Sequence, residues 1–478
     1  MYIGLDLGTS GVKALLIHAD QTVLSEATAP LSVQRPHAGW SEQRPADWVA
    51  ATSAALDQIA AGRDLSAVRA IGLSGQMHGA VCVDKNGEVL RPAILWNDTR
   101  AHQEAARMDA DPRFRAITGN IVFPGFTAPK IAWMQAHEPD LAARIATVLL
   151  PKDYLRFWLS GEAVSEMSDA AGTAWLDVSA RDWSDDLLAA TGLRRSQMPR
   201  LVEGAAVSAT LRDDLARRWG LRKGVVIAGG AGDNAASAIG MGVVAEGQAF
   251  VSLGTSGVLF VANNGYRPAP ETAVHTFCHA LPDRWHQMGV ILSATDALNW
   301  FAGLVGETAV TLTMGLGPLQ APGATRFLPY LGGERTPLNS ASIRGAFLGL
   351  EHATDRAAAT RAVLEGVTFA LADCRDAIRA TGTGFDQLIA VGGGSQSDYW
   401  LSTIATALNV PVARPSDGDF GAAFGAARLA LIADTGAQDA LTTPPIAQVF
   451  APDPALSAAF DDAHALYNQA TQAILELS

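Results

Sequence analysis

Apolar residues at the start of the chain fall in short blocks separated by turns. Tyr2 to Leu5 reads as a strand, Gly8 to Gly11 as a turn and Val12 to Ile17 as a second strand. Asp20 and Gln21 turn the chain again, and Thr22 to Thr28 makes a third strand. Pro45 opens a helical stretch that Gly62 can stop. Ala70 to Leu73 is a strand running into SGQMHG, and DKNG at Asp84–Gly87 marks a hairpin turn. Val225–Ala228 and Leu388–Val391 read as strands. Ala235–Gly242, Leu401–Leu408 and the terminal Ala455–Leu477 read as helices. Strands alternating with helices predict an α/β architecture.

One pattern occurs twice. LGTSGV stands at Leu7–Val12 and again at Leu253–Val258, each time between a short apolar strand and another. A hexapeptide repeated in the same strand–turn–strand setting predicts two similarly folded halves. The boundary falls near Gly242–Gly247, giving domains 1–244 and 245–478. No low-complexity linker separates them, so close packing around a cleft is expected.

Composition narrows the function classes. The 478 residues carry a net charge of −13, which argues against a general nucleic-acid binder and, more weakly, against adhesion to anionic membranes. Hydrophobic residues make up 49% and charged residues 17%, a globular balance. Cys82, Cys278 and Cys374 are odd in number and widely spaced, which fits a reducing cytoplasm better than a disulfide framework or structural zinc. MYIGLDLGTS lacks the basic and apolar regions of a signal peptide. Val225–Val244, the longest weakly polar stretch, contains Asp233 and Asn234 and is too rich in Gly and Ala for a membrane span.

A Gly/Thr/Ser turn between strands exposes backbone N–H groups and short hydroxyls, a concavity suited to phosphate oxygens. Two such turns, one per half, could clamp a polyphosphate. In DLGTSGVK, Asp6 adds a carboxylate for a metal ion or its waters, and Lys13 a point charge for phosphate. VVIAGGAGDNAASAIG is strand, Gly-rich turn and helix, with Asp233 at the helix start. There Asp233 can cap the helix or serve as a general base, and the residues alone leave both open. Gly230-x-Gly232-x-x-Ala235 also fits a dinucleotide turn, but an acid in that loop would repel pyrophosphate. In SGQMHG, Gln76 and His78 leave a strand at the sheet edge where open α/β sheets bind ligands, and could hydrogen-bond a polyol. Asp98 and Arg100 of LWNDTR read as a structural ion pair. VGGGSQS suits adenosine or phosphate contact, or simply a close strand–helix turn.

Several patterns mislead. Asp419-Phe420-Gly421 spells DFG, but no HRD loop or VAIK strand accompanies it, and no P-loop or G-x-S-x-G elbow exists. His275, Cys278, His279 and His286 cluster with a spacing that matches no standard zinc site.

DLGTSGVK, GQMHGAV, RPAILWNDTR, PGFTAPK, LLPKDYLR, MSDAAGT, GGAGDNAA, SLGTSGV, HTFCHALPDRWH, FLPYLGGERTP, AVLEGV and VGGGSQS run nearly collinearly from Met1 to about Arg428. Together they resemble the FGGY carbohydrate kinases. The resemblance implies two ribonuclease-H-like domains of the actin/hexokinase type around a central cleft. It implies ATP, Mg²⁺ and transfer of phosphate to the terminal hydroxyl of a ketopentose, D-xylulose first, with ribulose or glycerol as alternatives. By the same resemblance Asp233 is the catalytic base and Asp6 the acid near the metal. Met77, His78, Asn234 and Phe126 join Asp233 around the sugar. Gly8, Thr9, Ser10 and Lys13 form the first phosphate loop, Gly254 and Thr255 the second. Gly393, Gly394 and Ser397 lie in the adenosine region. A homodimer is compatible with this reading. Ala359 and Thr360 replace an acid–aliphatic pair usual before AVLEG, and Ala136 a usual polar residue; both are expected on helix surfaces. Two other classes remain. An actin- or chaperone-type ATPase would keep the phosphate turns without a sugar. A dehydrogenase would use the Val225 segment.

Overall fold

The protein is described here by a computed structural model, which covers residues 1–477 except Asp417 and Asp419. Asp419 of the DFG triplet therefore lies outside the described residues. The chain forms two compact units. The first comprises Met1–Val244, Phe277–Trp285 and Asp419–Thr443; the second comprises Ala245–Thr276, His286–Gly418 and Pro444–Ser478. Two stretches from beyond residue 245 thus belong to the first unit.

In the first unit, β1 (Tyr2–Leu7), β2 (Gly11–Ile17), β3 (Val23–Pro30), β4 (Ala70–Gly75), β5 (Val207–Thr210) and β6 (Val226–Ala228) form a sheet in the order β5-β6-β4-β1-β2-β3. A short strand, β7 (Ala231–Gly232), also pairs with β4. A second seven-stranded sheet holds β8 (Ala249–Leu253), β9 (Gly257–Asn263), β10 (His275–Cys278), β11 (Trp285–Ile291), β12 (Leu388–Val391), β13 (Val412–Pro415) and β14 (Ile446–Phe450). Its order is β10-β11-β9-β8-β12-β13-β14. The repeated hexapeptide thus marks a repeated fold. β1 is antiparallel to β2 and parallel to β4, and β8 is antiparallel to β9 and parallel to β12. Beyond these, β4–β6 and β12–β13 are parallel, while β5–β6 and β13–β14 are antiparallel.

Alternation along β1 explains its two buried faces. Ile3, Leu5 and Leu7 join Val12, Ala14 and Leu16 in one core. Tyr2, Leu15 and Ile17 meet Phe424, Ala427 and Leu431 of the helix Ala422–Thr435 on the other face. That helix lies directly against the sheet at Gly4 and Gly72, which are cross-strand partners. A Cβ on Gly4 would stand 1.9 Å from the Ala423 carbonyl oxygen, and one on Gly72 1.8 Å from that of Ala426. Only glycine permits this approach.

Three further expectations are refined. The helix expected at Ala235–Gly242 runs from Asp233 to Gly240. The terminal helix spans Ser457–Glu476. Thr360 lies inside the helix Arg356–Arg379 with no solvent exposure and donates its hydroxyl to the Arg356 carbonyl at 2.8 Å. It is therefore a core position, unlike Ala136, which is exposed.

Candidate active site

Register gathers the first unit's candidate residues at one sheet edge. Asp6 pairs with Lys13 across β1–β2 and with Ser74 across β1–β4, and Ser74 pairs with Ala231 of β7. Cross-strand partners share a face, so Asp6 and Ala231 belong to one row. The chain passes from Ala231 through Gly232 into the helix that begins with Asp233. The dinucleotide reading fails here, because Ala231 and Gly232 form a strand beside β4 rather than a phosphate turn.

Gly232, not Asp233, is the helix cap, and no side-chain hydrogen bond caps that end. The Asp233 carboxylate is instead oriented by its neighbour: Asn234 donates to Oδ1 from its backbone N–H at 2.7 Å and from Nδ2 at 3.0 Å. Burial and then the nearby charge of Asp6 push the Asp233 pKa up to about 7, against the two Asn234 bonds. A carboxylate poised near neutrality is suited to accepting a hydroxyl proton. The two acids also form the pair a hard cation favours, since Mg²⁺ is commonly held by one or two carboxylates plus substrate oxygens.

Met77 packs beside the start of that helix, and His78 follows it in the chain. Met77 packs against Gly232, where an added Cβ would meet its Cγ and Sδ at 2.9 Å. His78 has a left-handed backbone, φ 68°. Its ring stacks on Phe126 with centroids 4.7 Å apart, and Phe277 approaches edge-on at 6.3 Å. His78 Nδ1 lies 2.7 Å from the Gly172 carbonyl, which can only accept, so Nδ1 carries the hydrogen in that bond.

Several supports escaped sequence reasoning. The His78 carbonyl accepts from Thr127 Oγ1 at 3.1 Å and from Lys130 Nζ at 2.8 Å. Lys130 is fully buried, also donates to the Gly125 carbonyl, and has its pKa driven down by burial. A lysine among Ala128, Ile131, Trp133 and Met134 was the available signal, since an apolar helix face holds a lysine only when it has partners. Gly172 gives no signal by itself: its Cβ would stand 2.4 Å from His78 Nδ1 and Cε1.

The Gly8–Gly11 turn, where phosphate contact is expected, is tied down on several sides. Gly8 N–H donates to the Gly11 carbonyl at 3.0 Å. Thr9 Oγ1 donates to Gln76 Oε1 and accepts from Trp96 Nε1, both at 3.0 Å, while Gln43 Nε2 donates to the Thr9 carbonyl at 2.8 Å. Gln76 also donates to Gln43 at 3.1 Å. The Gln76 amide is thus committed to holding the turn, which corrects its reading as a polyol contact. Ser10 is exposed at the tip. Lys13 Nζ lies 3.0 Å from Glu26 Oε2 on β3, so its charge is shared with a carboxylate. Asp98 and Arg100 form the expected buried ion pair at 2.7 Å.

In the second unit, Gly254 and Thr255 accept bonds from the start of the helix Thr295–Leu304. Thr295 donates to the Gly254 carbonyl from N–H at 2.9 Å and from Oγ1 at 2.7 Å, and Ala294 N–H to the Thr255 carbonyl at 2.8 Å. Gly394 packs on Leu253, immediately before this turn, where its Cβ would meet Leu253 Cβ at 2.8 Å. Gly393, Gly394 and Ser397 line a cavity of about 690 Å³ with Leu298, Val310 and Met314 among its apolar walls. Ser397 also caps the helix Asp398–Leu408, accepting from Trp400 N–H at 3.3 Å.

The His/Cys stretch has other partners. His279 Nε2 lies 3.0 Å from the Val243 carbonyl and burial lowers its pKa to about 4. His286 stacks on Phe260 at 4.4 Å, and Cys278 Sγ donates to the Val178 carbonyl. Among the described residues, no three His, Cys, Asp or Glu side chains are grouped to hold a metal, and no helix is long and apolar enough to cross a membrane.

A carboxylate of raised pKa near Asp6, at the start of a Gly/Thr/Ser turn, and a strand–turn–strand unit that occurs in both sheets fit the two-domain actin/hexokinase-like fold. Comparison with known proteins makes this specific. The model of the N-terminal domain of the FGGY family of carbohydrate kinases matches residues 1–240, and that of the C-terminal domain residues 249–433. The chain belongs to the FGGY family and is an ATP-dependent sugar kinase. It is 46% identical to a xylulose kinase of Escherichia coli K12 over 483 residues, covering 100% of both chains. A solved structure described as a xyloylose kinase from Brucella ovis is 60% identical, covers 100% of both chains and superposes with a TM-score of 0.99. The xylulose kinase of Rhodospirillum rubrum is 29% identical, with a TM-score of 0.93 over 100% of this chain and 99% of the other.

Proposed function

We propose that the enzyme transfers the γ-phosphoryl group of ATP to the terminal hydroxyl of D-xylulose, with Asp233 as general base. The observation that carries the reading is the Asp233 carboxylate, its Oδ1 held by two Asn234 N–H groups and its pKa raised to about 7, at a helix start on which Met77 packs. Full-length identity to xylulose kinases supports the choice of sugar.

His78 and Asn234 orient the sugar, with Met77 and Phe126 as its apolar wall. Asp233 Oδ2 accepts the hydroxyl proton as that oxygen bonds to phosphorus and the bond to the departing ADP oxygen breaks. Phosphoryl transfer depends chiefly on such positioning and on charge stabilisation. Backbone N–H groups of Thr9 and Ser10 in the first turn, and those of the Gly254–Thr255 turn, bind phosphate oxygens, and Lys13 adds charge near the first. The Gly393–Ser397 cavity takes the adenosine. Asp6 would hold Mg²⁺, which when bound neutralises phosphate charge. The Asp6–Asp233 pair fits this role, because a cation relieves the repulsion that raises the Asp233 pKa.

ADP release with Mg²⁺-ATP tests the reading across D-xylulose, D-ribulose, glycerol and no sugar. Strong release with D-xylulose, cut at least about 10²-fold in Asp233→Ala, is expected. Equal release with and without every sugar would remove the sugar site, and near-normal turnover in folded Asp233→Ala would remove the base.

A further inference from the structure

The first unit buries five charged side chains away from the groups assigned above. Lys152, Asp153, Arg156, Glu166 and Asp169 have no exposed side-chain surface. Lys152 Nζ lies 2.8 Å from Asp153, 2.9 Å from Asp169 and 3.2 Å from Glu166, while Arg156 lies 2.7 Å from Asp153. Burial, reinforced by Asp153 and Glu166, pushes the Asp169 carboxyl well above the ordinary range, against Lys152. A cluster of this kind is costly to bury, and well-packed apolar residues often serve stability as well or better. What it holds is therefore informative.

Its outer members grip the backbone that leads into Asp233. Arg156 donates to the Gly229 carbonyl. Glu166 accepts from the Ser168 hydroxyl at 2.9 Å and from the N–H groups of Ser168 and Asp169 at 2.7 and 2.9 Å. Ser168 Oγ in turn accepts from Gly232 N–H at 3.1 Å. The gripped segment is also held by backbone bonds, Gly229 N–H to the Ala206 carbonyl at 2.8 Å and Gly230 N–H to that of Gly204 at 2.9 Å, and by the pairing of Ala231–Gly232 with β4, so the side-chain grips act on a path that is already defined. Gly229 and Gly230 thread between backbones, where a Cβ would meet the Glu203 carbonyl oxygen at 2.2 Å and that of Leu73 at 2.1 Å. The same short stretch continues from Ser168 to Gly172, whose carbonyl receives His78 Nδ1 at 2.7 Å.

We propose that the buried Lys152–Asp153–Arg156–Glu166–Asp169 cluster is a positioning device that, through Ser168 and Gly172, fixes the place of Asp233 relative to His78. The inference rests on Asp233 acting as the base. Its members touch no substrate and act only through the Gly229–Gly232 backbone and the His78 ring. Misplacing a catalytic group by about 1 Å costs up to about 10²-fold in rate, so losing one grip should be visible.

The test compares wild type, Ser168→Ala, Glu166→Gln and Asp233→Ala, with turnover referred to sites counted by calorimetric titration with D-xylulose. Ser168→Ala removes one oxygen and keeps the backbone path, so it should fold even if Glu166→Gln does not. In Ser168→Ala, kcat per counted site should fall about tenfold while the KM for ATP changes by less than about twofold. A merely structural role would lower the number of sites and the melting temperature and leave kcat per site unchanged. That outcome, with Asp233→Ala inactive, overturns the positioning device alone. An active Asp233→Ala would instead overturn the assignment of the base, and this inference with it.

Discussion

Gly172→Ala is the sharpest available test of how the proposed sugar pocket is built. The added methyl would stand 2.4 Å from His78 Nδ1 and Cε1 and 3.1 Å from Met77 Cε. Carbon atoms in contact prefer about 3.5–4.0 Å, so the ring must move by about 1 Å. It is not free to do so without loss, since Nδ1 is bonded to the Gly172 carbonyl and the ring is stacked on Phe126. Overpacking of this kind costs about 1–3 kcal/mol. A displacement of about 1 Å in a substrate-orienting group should lower kcat/KM for the sugar by about 10- to 100-fold. ATP binding, which uses residues elsewhere, should keep its KM within about twofold. The double mutant decides the cause. If the methyl acts by displacing His78, then Gly172→Ala in a His78→Ala background should cost almost nothing further in chemical-denaturation stability. Contacting residues typically show coupling of about 0.5–3 kcal/mol, and the reasoning fails if the two costs add.

Three other outcomes follow from single features. Gly72→Ala drives a methyl to 1.8 Å from the Ala426 carbonyl oxygen, part of a helix backbone, so a loss above about 4 kcal/mol and insoluble expression are expected; a folded variant melting like wild type would refute that packing. Gly393→Leu meets no protein atom within 4 Å at its Cβ yet enters the cavity, so it should raise the KM for ATP at least about tenfold and leave melting and sugar KM unchanged, as enzyme kinetics would show. Asp434 accepts from Tyr2 Oη at 2.9 Å and from Arg69. Burial opposes its ionisation, but the Arg69 and Tyr2 bonds outweigh it and hold its pKa below the ordinary carboxylate value. Its contribution is therefore present above about pH 4 and lost as pH falls through the lowered value. Asp434→Asn should melt lower than wild type at pH 7, and the gap should close on acidification; a gap independent of pH would exclude the ion pair as its source.

What the sequence revealed and what it hid divide along a physical line. The two LGTSGV copies are local patterns, and local pattern was enough to find two sheets that each hold an antiparallel hairpin with a parallel neighbour. Asp6 and Asp233 are legible because each ends an apolar strand or opens a helix in its own segment. The chain's longer-range choices left weaker marks. Polar residues at the sheet edge could have faced a ligand or one another, and Gln76 turned out to serve Thr9 and Gln43. Lys13 met Glu26 across a strand pair whose register no single segment specifies. Thr360 looked like a surface change because a threonine is neutral on either face, yet its hydroxyl closes on the turn before it and so can be buried at little cost.

Glycines carry the hardest information to read. Gly4 and Gly72 are clearances for a helix that arrives more than 300 residues later, and Gly172 is a clearance for a ring 94 residues earlier. Absence of a side chain gives no periodicity and names no partner. The proposed base was therefore legible as chemistry, while the space that the His78 ring needs at Gly172 was not. That space is as specific as the carboxylate, since one methyl in it would displace the ring, and a sequence that keeps every proposed site residue is expected to lose sugar turnover at Gly172.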